Sequence, residues 1–280
     1  MTKEISVKID GKTINLVNKS KFFLIAGPCA VESEKLSIET AKRIKDISLR
    51  LKIACIFKAS YKKANRTSGS SFRSIGVIES LDILGKIREK VKIPVLTDIH
   101  SEVEAEIASE YVDVLQIPAF LSRQTEILEA AGETGKIVNI KKGQFLSPDD
   151  MIHQIKKVEA TGNNRIMLTE RGTTFGYQNL VVDMRSLEIM KKYGYPVVFD
   201  ATHSVQMPSK ENGVSGGNPE FIEPLAKAAI AVGVNGVYIE THPNPKKALS
   251  DASSMLPLSK LEGILKRLLT IHKASSEYVQ

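Results

Sequence analysis

Eight short apolar runs in this chain each end on residues able to do chemistry. The exits read Gly27-Pro28-Cys29, Lys58-Ala59-Ser60, Asp98-Ile99-His100, Gln116-Ile117-Pro118, Lys141-Lys142-Gly143, Glu170-Arg171-Gly172, Asp200-Ala201-Thr202-His203 and Glu240-Thr241-His242. Two chemistries separate within this set. Lys58, Lys142 and Arg171 bring positive charge to one mouth, and the stretch after the second run adds Lys63 and Arg66. Cations sharing a cavity repel unless an anion joins them. Phosphate and carboxylate ligands supply that anion, with Arg suited to bidentate contact and Lys to a point charge. The plainer alternative pairs some of these cations with Asp98, Glu170 or Glu240 as structural ion pairs. The second chemistry is metal binding. Cys29, His203 and Glu240 end the first, seventh and eighth runs, and Asp251 lies in the loop beyond. A thiolate, an imidazole and two carboxylates suit Zn²⁺, Fe²⁺ or another divalent transition metal rather than Mg²⁺, which avoids sulfur. Each residue also has a bland alternative: an inert buried thiol, a hydrogen-bonded histidine, a helix-capping acid. Cys55, inside Ile53-Ala54-Cys55-Ile56, reads as a core thiol. His153 and His272 read as solvated residues of amphipathic helices, and His100 and His242 as supporting or structural residues.

For these exits to meet, the runs must be strands of one sheet. They are Phe22–Ala26, Ile53–Phe57, Pro94–Thr97, Val112–Gln116, Ile137–Ile140, Arg165–Leu168, Pro196–Phe199 and Gly236–Ile239, rich in Val, Ile and Leu as in a parallel sheet buried on both faces. Each is followed by helical periodicity. Ser33 and Ser101 stand as N-caps, and Ser147-Pro148-Asp149-Asp150 puts Pro at N1 with acids in the first turn. Eight such units predict a single (β/α)8 TIM barrel, in which active-site groups gather beyond the carboxyl ends of the strands. Strands one, seven and eight then adjoin. Ahead of the barrel, Ile5–Val17 alternates around Asp10-Gly11 and predicts a β-hairpin, so residues 1–20 form an extension of one barrel domain, 1–280. A doubly wound sheet is the alternative architecture, but no G-x-G-x-x-G follows the first strand.

Composition is that of an ordinary soluble globular protein: 42% hydrophobic, 25% charged, 280 residues. No apolar run approaches the roughly 18 residues of a membrane span, and no secretory h-region opens the chain. The expectation is a cytoplasmic protein with no membrane partner. Two cysteines make no disulfide framework. The net charge of +7 comes from lysines interleaved with glutamates, which reads as a solvated surface and not a nucleic-acid site.

Longer runs point to a family. Ala26-Gly27-Pro28-Cys29-Ala30-Val31-Glu32-Ser33 resembles the opening motif of enzymes that condense phosphoenolpyruvate with phosphorylated aldoses. Lys63-Ala64-Asn65-Arg66-Thr67-Ser68 carries an Asn that separates the 3-deoxy-D-manno-octulosonate 8-phosphate (Kdo-8-phosphate) synthases, or 2-dehydro-3-deoxyphosphooctonate aldolases, from the heptulosonate synthases of aromatic biosynthesis. The likeness continues through Gln116–Leu121, Arg123–Thr125, Asn139–Phe145, Thr169–Tyr177, Phe199–Gln206, Glu240–Pro243 and Leu249–Ala252, covering roughly Phe22 to Leu269.

The resemblance implies roles. Lys58, Ser60 and Gln116 hold the phosphoenolpyruvate carboxylate, Lys142 and Arg171 its phosphate, and Lys63 lies near the reacting carbons. Asn65, Arg66 and Thr67 bind arabinose 5-phosphate, with Asp98 near its hydroxyls. Arg123 reaches that phosphate from a neighbouring subunit, implying a homotetramer. Members with Cys at position 29 require a divalent metal, whereas others carry Asn and none; Cys29, His203, Glu240 and Asp251 therefore imply a Zn, Fe, Mn or Co site with a part in catalysis. Thr67 replaces a usual Ser, Lys62 a common Asp, and Gly69-Ser70 a common Ile-His, so the aldose loop departs from the pattern more than the phosphoenolpyruvate pocket. The polar stretch Gln206–Asn218, with Pro208 and three glycines, is expected to close over the site. Two rival readings are a heptulosonate synthase using erythrose 4-phosphate and a non-catalytic barrel that binds anions or nucleic acid through its net charge of +7. The strand-exit acids argue against the second, since they would repel a phosphate backbone.

Overall fold

The computed structural model describes residues 2–17, 21–64, 72–177, 179–211 and 214–277. Its strands are β1 (Ser6–Ile9), β2 (Lys12–Asn15), β3 (Phe23–Gly27), β4 (Cys55–Lys58), β5 (Val95–Asp98), β6 (Val114–Ile117), β7 (Ile137–Lys141), β8 (Ile166–Glu170), β9 (Thr173–Thr174), β10 (Leu180–Val181), β11 (Val197–Asp200), β12 (Gln206–Glu211), β13 (Val214–Gly217), β14 (Gly236–His242) and β15 (Leu256–Pro257). The helices are α1 (Glu34–Leu51), α2 (Val77–Lys86), α3 (Glu102–Ser109), α4 (Thr125–Glu133), α5 (Met151–Ala160), α6 (Arg185–Lys191), α7 (Ile222–Val232) and α8 (Leu258–Glu277). Strands β3, β4, β5, β6, β7, β8, β11 and β14 pair in parallel in that order, and β11 closes the ring on β14. Helices follow the strands, so the expected (β/α)8 barrel is what the chain forms.

Side chains alternate across each strand, and that alternation sorts the core into two. Phe23, Ile25, Ile56, Leu96, Val114, Ile137, Met167, Val198 and Tyr238 fill the barrel interior. Leu24, Phe57, Leu115, Val138, Leu168, Phe199 and Val237 face outward onto the helices. Full burial of each large aliphatic or aromatic side chain contributes about 1.5–3 kcal/mol. Continuing the inward set by two residues up each strand gives Gly27, Lys58, Asp98, Gln116, Asn139, Thr169, Asp200 and Glu240. The lumen therefore turns from hydrocarbon to charge within one layer.

The β1–β2 hairpin turns at Asp10-Gly11, both at positive φ (51° and 72°), as a two-residue hairpin loop requires. Its Ile5, Val7, Ile9 and Leu16 pack on the interior cluster. Ser33 accepts the Leu36 N–H at 3.3 Å, Ser101 accepts that of Glu104 at 3.3 Å, and Ser147 and Asp150 form a capping box ahead of α5.

Three details differ from expectation. β14 runs three residues past Ile239, because Thr241 and His242 pair with Leu256 and Pro257 of β15. The Gln206–Asn218 stretch holds an antiparallel ribbon, β12 with β13, in place of a plain polar loop. His272 is not solvated: α8 lays it edge-on against Phe22 with ring centroids 5.8 Å apart, and both ring nitrogens are buried without a hydrogen-bond partner. His153 is exposed, and Cys55 is a buried thiol donating to Ser48 Oγ at 3.0 Å, its pKa pushed up by burial to about 11.

Candidate active site

The charged layer of the lumen is tied together by a one-directional chain of hydrogen bonds. Thr169 donates to Asn139 Oδ1 (2.7 Å), and Asn139 donates to Gln116 Oε1 (2.8 Å). Gln116 and the Ser60 hydroxyl in turn donate to the two oxygens of Asp98. Lys58 Nζ lies 3.5 Å from Asp98, 2.9 Å from Glu240 Oε1, 3.0 Å from Ser60 Oγ and 3.2 Å from the Cys29 carbonyl. Burial opposes charge on Lys58, but the Glu240 and Asp98 carboxylates outweigh it and hold the amine above the ordinary lysine range. Burial likewise opposes charge on Asp98 and Glu240, and Lys58 leads the cations that keep both carboxyls below their usual values. β3 and β4 approach closely enough here that a Cβ on Gly27 would sit 2.0 Å from the Lys58 carbonyl oxygen, so only glycine fits.

On the adjoining side, Cys29 Sγ donates to Asp251 Oδ2 at 2.9 Å and lies 3.1 Å from Ser250 Oγ. Ligand atoms of Cys29, Glu240 and Asp251 all fall within 4.8 Å of one another. Burial, then the Asp251 and Glu240 charges, push the thiol well above its ordinary pKa. A divalent cation would reverse that balance by favouring thiolate. Glu240 Oε2 is buried with no hydrogen-bond partner among the described residues, so one oxygen of the cluster remains to be satisfied. His203 stands at the edge: its Nε2 is 3.6 Å from Glu240 Oε1. Its Nδ1 is 2.7 Å from Asp200 Oδ2, and Asp200 Oδ1 accepts the His203 backbone N–H at 2.9 Å. A carboxylate at Nδ1 holds the proton there and leaves the Nε2 lone pair facing Glu240. Lys141 Nζ bonds the same Asp200 oxygen at 2.6 Å and lies 4.3 Å from the centre of the Tyr238 ring. The donor set fits a transition-metal ion.

The third group is cationic. Lys142 Nζ donates to Thr173 Oγ1 at 2.9 Å and lies 3.6 Å from Glu170 Oε1. Arg171 Nη2 reaches Gln206 Oε1 at 3.2 Å, whereas Nη1 is buried with no hydrogen-bond partner among the described residues. Burial lowers the pKa of both groups. Half-buried Lys63 is also disfavoured by burial, yet the charges of Cys29, Glu240 and Asp251 raise it.

Of the residues singled out from the sequence, Lys58, Ser60, Asp98, Gln116, Cys29 and Glu240 form one bonded network, and Asp251 and His203 touch it. Lys142 and Arg171 lie on the β7 and β8 exits, and the structural ion pair weighed as the plainer alternative occurs there between Lys142 and Glu170. Arg123 is exposed, with its carbonyl held by Lys157 at 2.9 Å. Asn65, Arg66 and Thr67 lie outside the described residues, as do Gly69 and Ser70. Asn139, Thr169, Asp200, Lys141 and Tyr238 were assigned no role; the two-residue period of each strand could have found them. A second unforeseen cluster lies beside the β4 exit. Glu104 accepts from Tyr61 Oη (2.5 Å), Lys62 Nζ and the His100 backbone N–H (2.9 Å), which brings its carboxyl to about 2 against the opposing effect of burial.

Comparison with known proteins agrees with this geometry. Residues 4–277 match the DAHP synthetase I family. A 2-dehydro-3-deoxyphosphooctonate aldolase of Acidithiobacillus ferrooxidans is 56% identical over 247 residues, 88% of either chain. One of Dichelobacter nodosus is 54% identical over 90% of this chain and 91% of its own, and one of Desulfatibacillum aliphaticivorans is 51% identical over 99% and 100%. With a barrel mouth of matching chemistry and likeness along nearly its whole length, the chain belongs to the DAHP synthetase I family, among the 2-dehydro-3-deoxyphosphooctonate aldolases.

Proposed function

We propose that the barrel mouth joins phosphoenolpyruvate, D-arabinose 5-phosphate and water into Kdo-8-phosphate and inorganic phosphate, a step towards the Kdo sugar of lipopolysaccharide. The observation that carries this reading is Arg171. A buried guanidinium N–H without an acceptor costs about 1–3 kcal/mol or more unless an anion takes it, and Nη1 is such a group beside the Lys142 exit. Phosphate from phosphoenolpyruvate supplies the acceptor, and Lys58, Ser60 and Gln116 take the carboxylate. These anchors hold one anionic substrate while Asn65, Arg66, Thr67 and Asp98 hold the other, which removes the entropic cost of their meeting. The enol C3 then bonds the aldehyde carbon, water adds at C2, and the C2–O bond breaks so that phosphate leaves with that oxygen. Of the water's two protons, one ends on the aldehyde oxygen, which becomes a hydroxyl, and the other leaves with the phosphate as the C2 carbonyl forms; Lys63 would lie near both carbons.

Cys29, His203, Glu240 and Asp251 would hold a divalent transition metal (Zn, Fe, Mn or Co), which when bound polarises the aldehyde or activates the water. Asp200 fixes the His203 tautomer for that role. Arg123 completes the aldose phosphate site of a neighbouring subunit in a homotetramer; exposed Phe120, Phe145, Phe175 and Tyr177, on the exits of β6, β7 and β8, support such an interface. One barrel domain with residues 1–20 as its extension carries the whole activity. Among the described residues no helix is long and apolar enough to cross a membrane, in keeping with a cytoplasmic enzyme. Phosphate release is to be measured with each aldose on protein of known metal content. Turnover with arabinose 5-phosphate is expected; preference for erythrose 4-phosphate would overturn the substrate, and full turnover after exhaustive demetallation the metal.

A further inference from the structure

Asp251 and Cys29 come from different segments, and something must set the distance between them. Cys29 is pinned from below: its carbonyl accepts the Ser60 N–H at 3.2 Å, and Val31 N–H donates to the Ser60 carbonyl at 3.0 Å. Asp251 lies two residues past the middle of the stretch 243–255, whose two ends are joined by the pairing of β14 with β15. Its backbone is left-handed, φ 48°, a conformation that costs a non-glycine residue energy and persists only where its surroundings hold it.

Glu32 spans the two segments. Its carboxylate is 8% exposed; Oε1 accepts the Leu249 backbone N–H at 3.0 Å, two residues before Asp251, and Oε2 lies 3.5 Å from His242 Nε2. His242 is 2% exposed, and its Nδ1 accepts the Asn244 N–H at 2.9 Å; its Nε2 makes no hydrogen bond among the described residues, so its contact with Glu32 is one of proximity. One side chain, three residues beyond Cys29, thus lies beside the end of β14 and holds the middle of the Asp251 segment by the Leu249 N–H. We infer that Glu32 is a positioning residue that sets the Cys29–Asp251 separation through the Leu249 N–H, and so tunes the affinity of the site for a divalent cation.

This rests on the metal reading above. The reach of the side chain, more than its charge, performs the task, since the bond to Leu249 needs only an acceptor at the right distance. Glu32→Gln keeps that acceptor; Glu32→Asp keeps the charge and loses a methylene of reach; Glu32→Ala loses both. Metal-free wild-type protein and these variants are titrated with Co²⁺ alone, following the thiolate-to-cobalt absorption and the dissociation constant, with Cys29→Ala as control. Glu32→Ala and Glu32→Asp are expected to bind about 10- to 100-fold more weakly with a shifted band, as loss of a group orienting metal ligands does, and Glu32→Gln within about threefold of wild type. At saturating metal the KM for phosphoenolpyruvate should stay within about twofold, which a general loss of structure would not allow. Wild-type affinity in Glu32→Asp, or Glu32→Gln as weak as Glu32→Ala, overturns the role given to Glu32 and leaves the metal site standing. Absence of the band in wild-type protein, or its survival in Cys29→Ala, overturns the metal site itself and this inference with it.

Discussion

Replacing Lys58 by Met keeps the stem's volume and removes the ammonium, so it isolates what that charge does. Four acceptors lose the ammonium: Glu240 Oε1, which keeps the Tyr238 hydroxyl, Asp98 Oδ2 and the Cys29 carbonyl, which keep Ser60 donors, and Ser60 Oγ. Glu240 is 0% and Asp98 9% exposed, so water cannot replace it. Removing one partner of a buried ion pair costs about 3–5 kcal/mol, because the remaining charge is left uncompensated. For 280 residues the unfolding entropy is about 0.6 kcal/mol per kelvin, which converts the loss to a Tm about 5–9 °C lower near neutral pH. The pH dependence gives a second reading. In wild-type protein Glu240 is held below its ordinary pKa, so its contribution is complete above about pH 5 and lost on acidification. Without Lys58 the largest influence that lowers this carboxyl is gone, leaving His203 and Lys63 to oppose burial, so folding depends less on its ionisation. The deficit should therefore narrow as pH falls below about 5. Lys58→Met/Glu240→Gln, which removes the stranded charge, should recover most of the lost stability at neutral pH. Thermal unfolding of wild type, single and double variants at several pH values tests this. An unchanged Tm for Lys58→Met at neutral pH, or a double variant less stable than the single, would refute the reasoning.

Asp200→Asn should place an amide N–H opposite His203 Nδ1 and move the ring proton to Nε2. Metal retention, followed by dialysis and metal analysis, should fall about 10- to 100-fold, with the fold kept by circular dichroism. Arg171→Lys loses the planar fork whose Nη1 is unpartnered; initial rates should show the KM for phosphoenolpyruvate rising about 10-fold or more, and that for arabinose 5-phosphate much less. Glu104→Gln removes a carboxylate held at about 2 by Lys62 and Tyr61 against burial. Since a depressed carboxyl stabilises only while ionised, the loss of about 2 kcal/mol should be full above about pH 5 and vanish towards pH 2 in thermal unfolding scans.

The eight-strand rhythm, the caps at Ser33, Ser101 and Ser147, and the Asp10-Gly11 turn were legible in the chain because each is a local rule. Apolar runs, side-chain capping and positive φ act within a few residues. The exit residues Cys29, Lys58, Asp98, Gln116, Glu170, Asp200 and Glu240 were legible for the same reason, since strand ends are local. Which partner each one takes was not. Lys58 sits between Asp98 and Glu240, 182 residues apart from the latter in sequence, only because the ring closes β3 against β14. Asn139 and Thr169 look like interior strand residues until the barrel turns them inward and links them to Gln116 and Asp98. His272 looks solvated on its helix until α8 lays it on Phe22. Residue types and strand periodicity determined a barrel with a charged mouth. The closure of the sheet, which brings together groups that no local pattern relates, decided that Lys58, Asp98, Gln116, Asn139, Thr169 and Glu240 bond into one network.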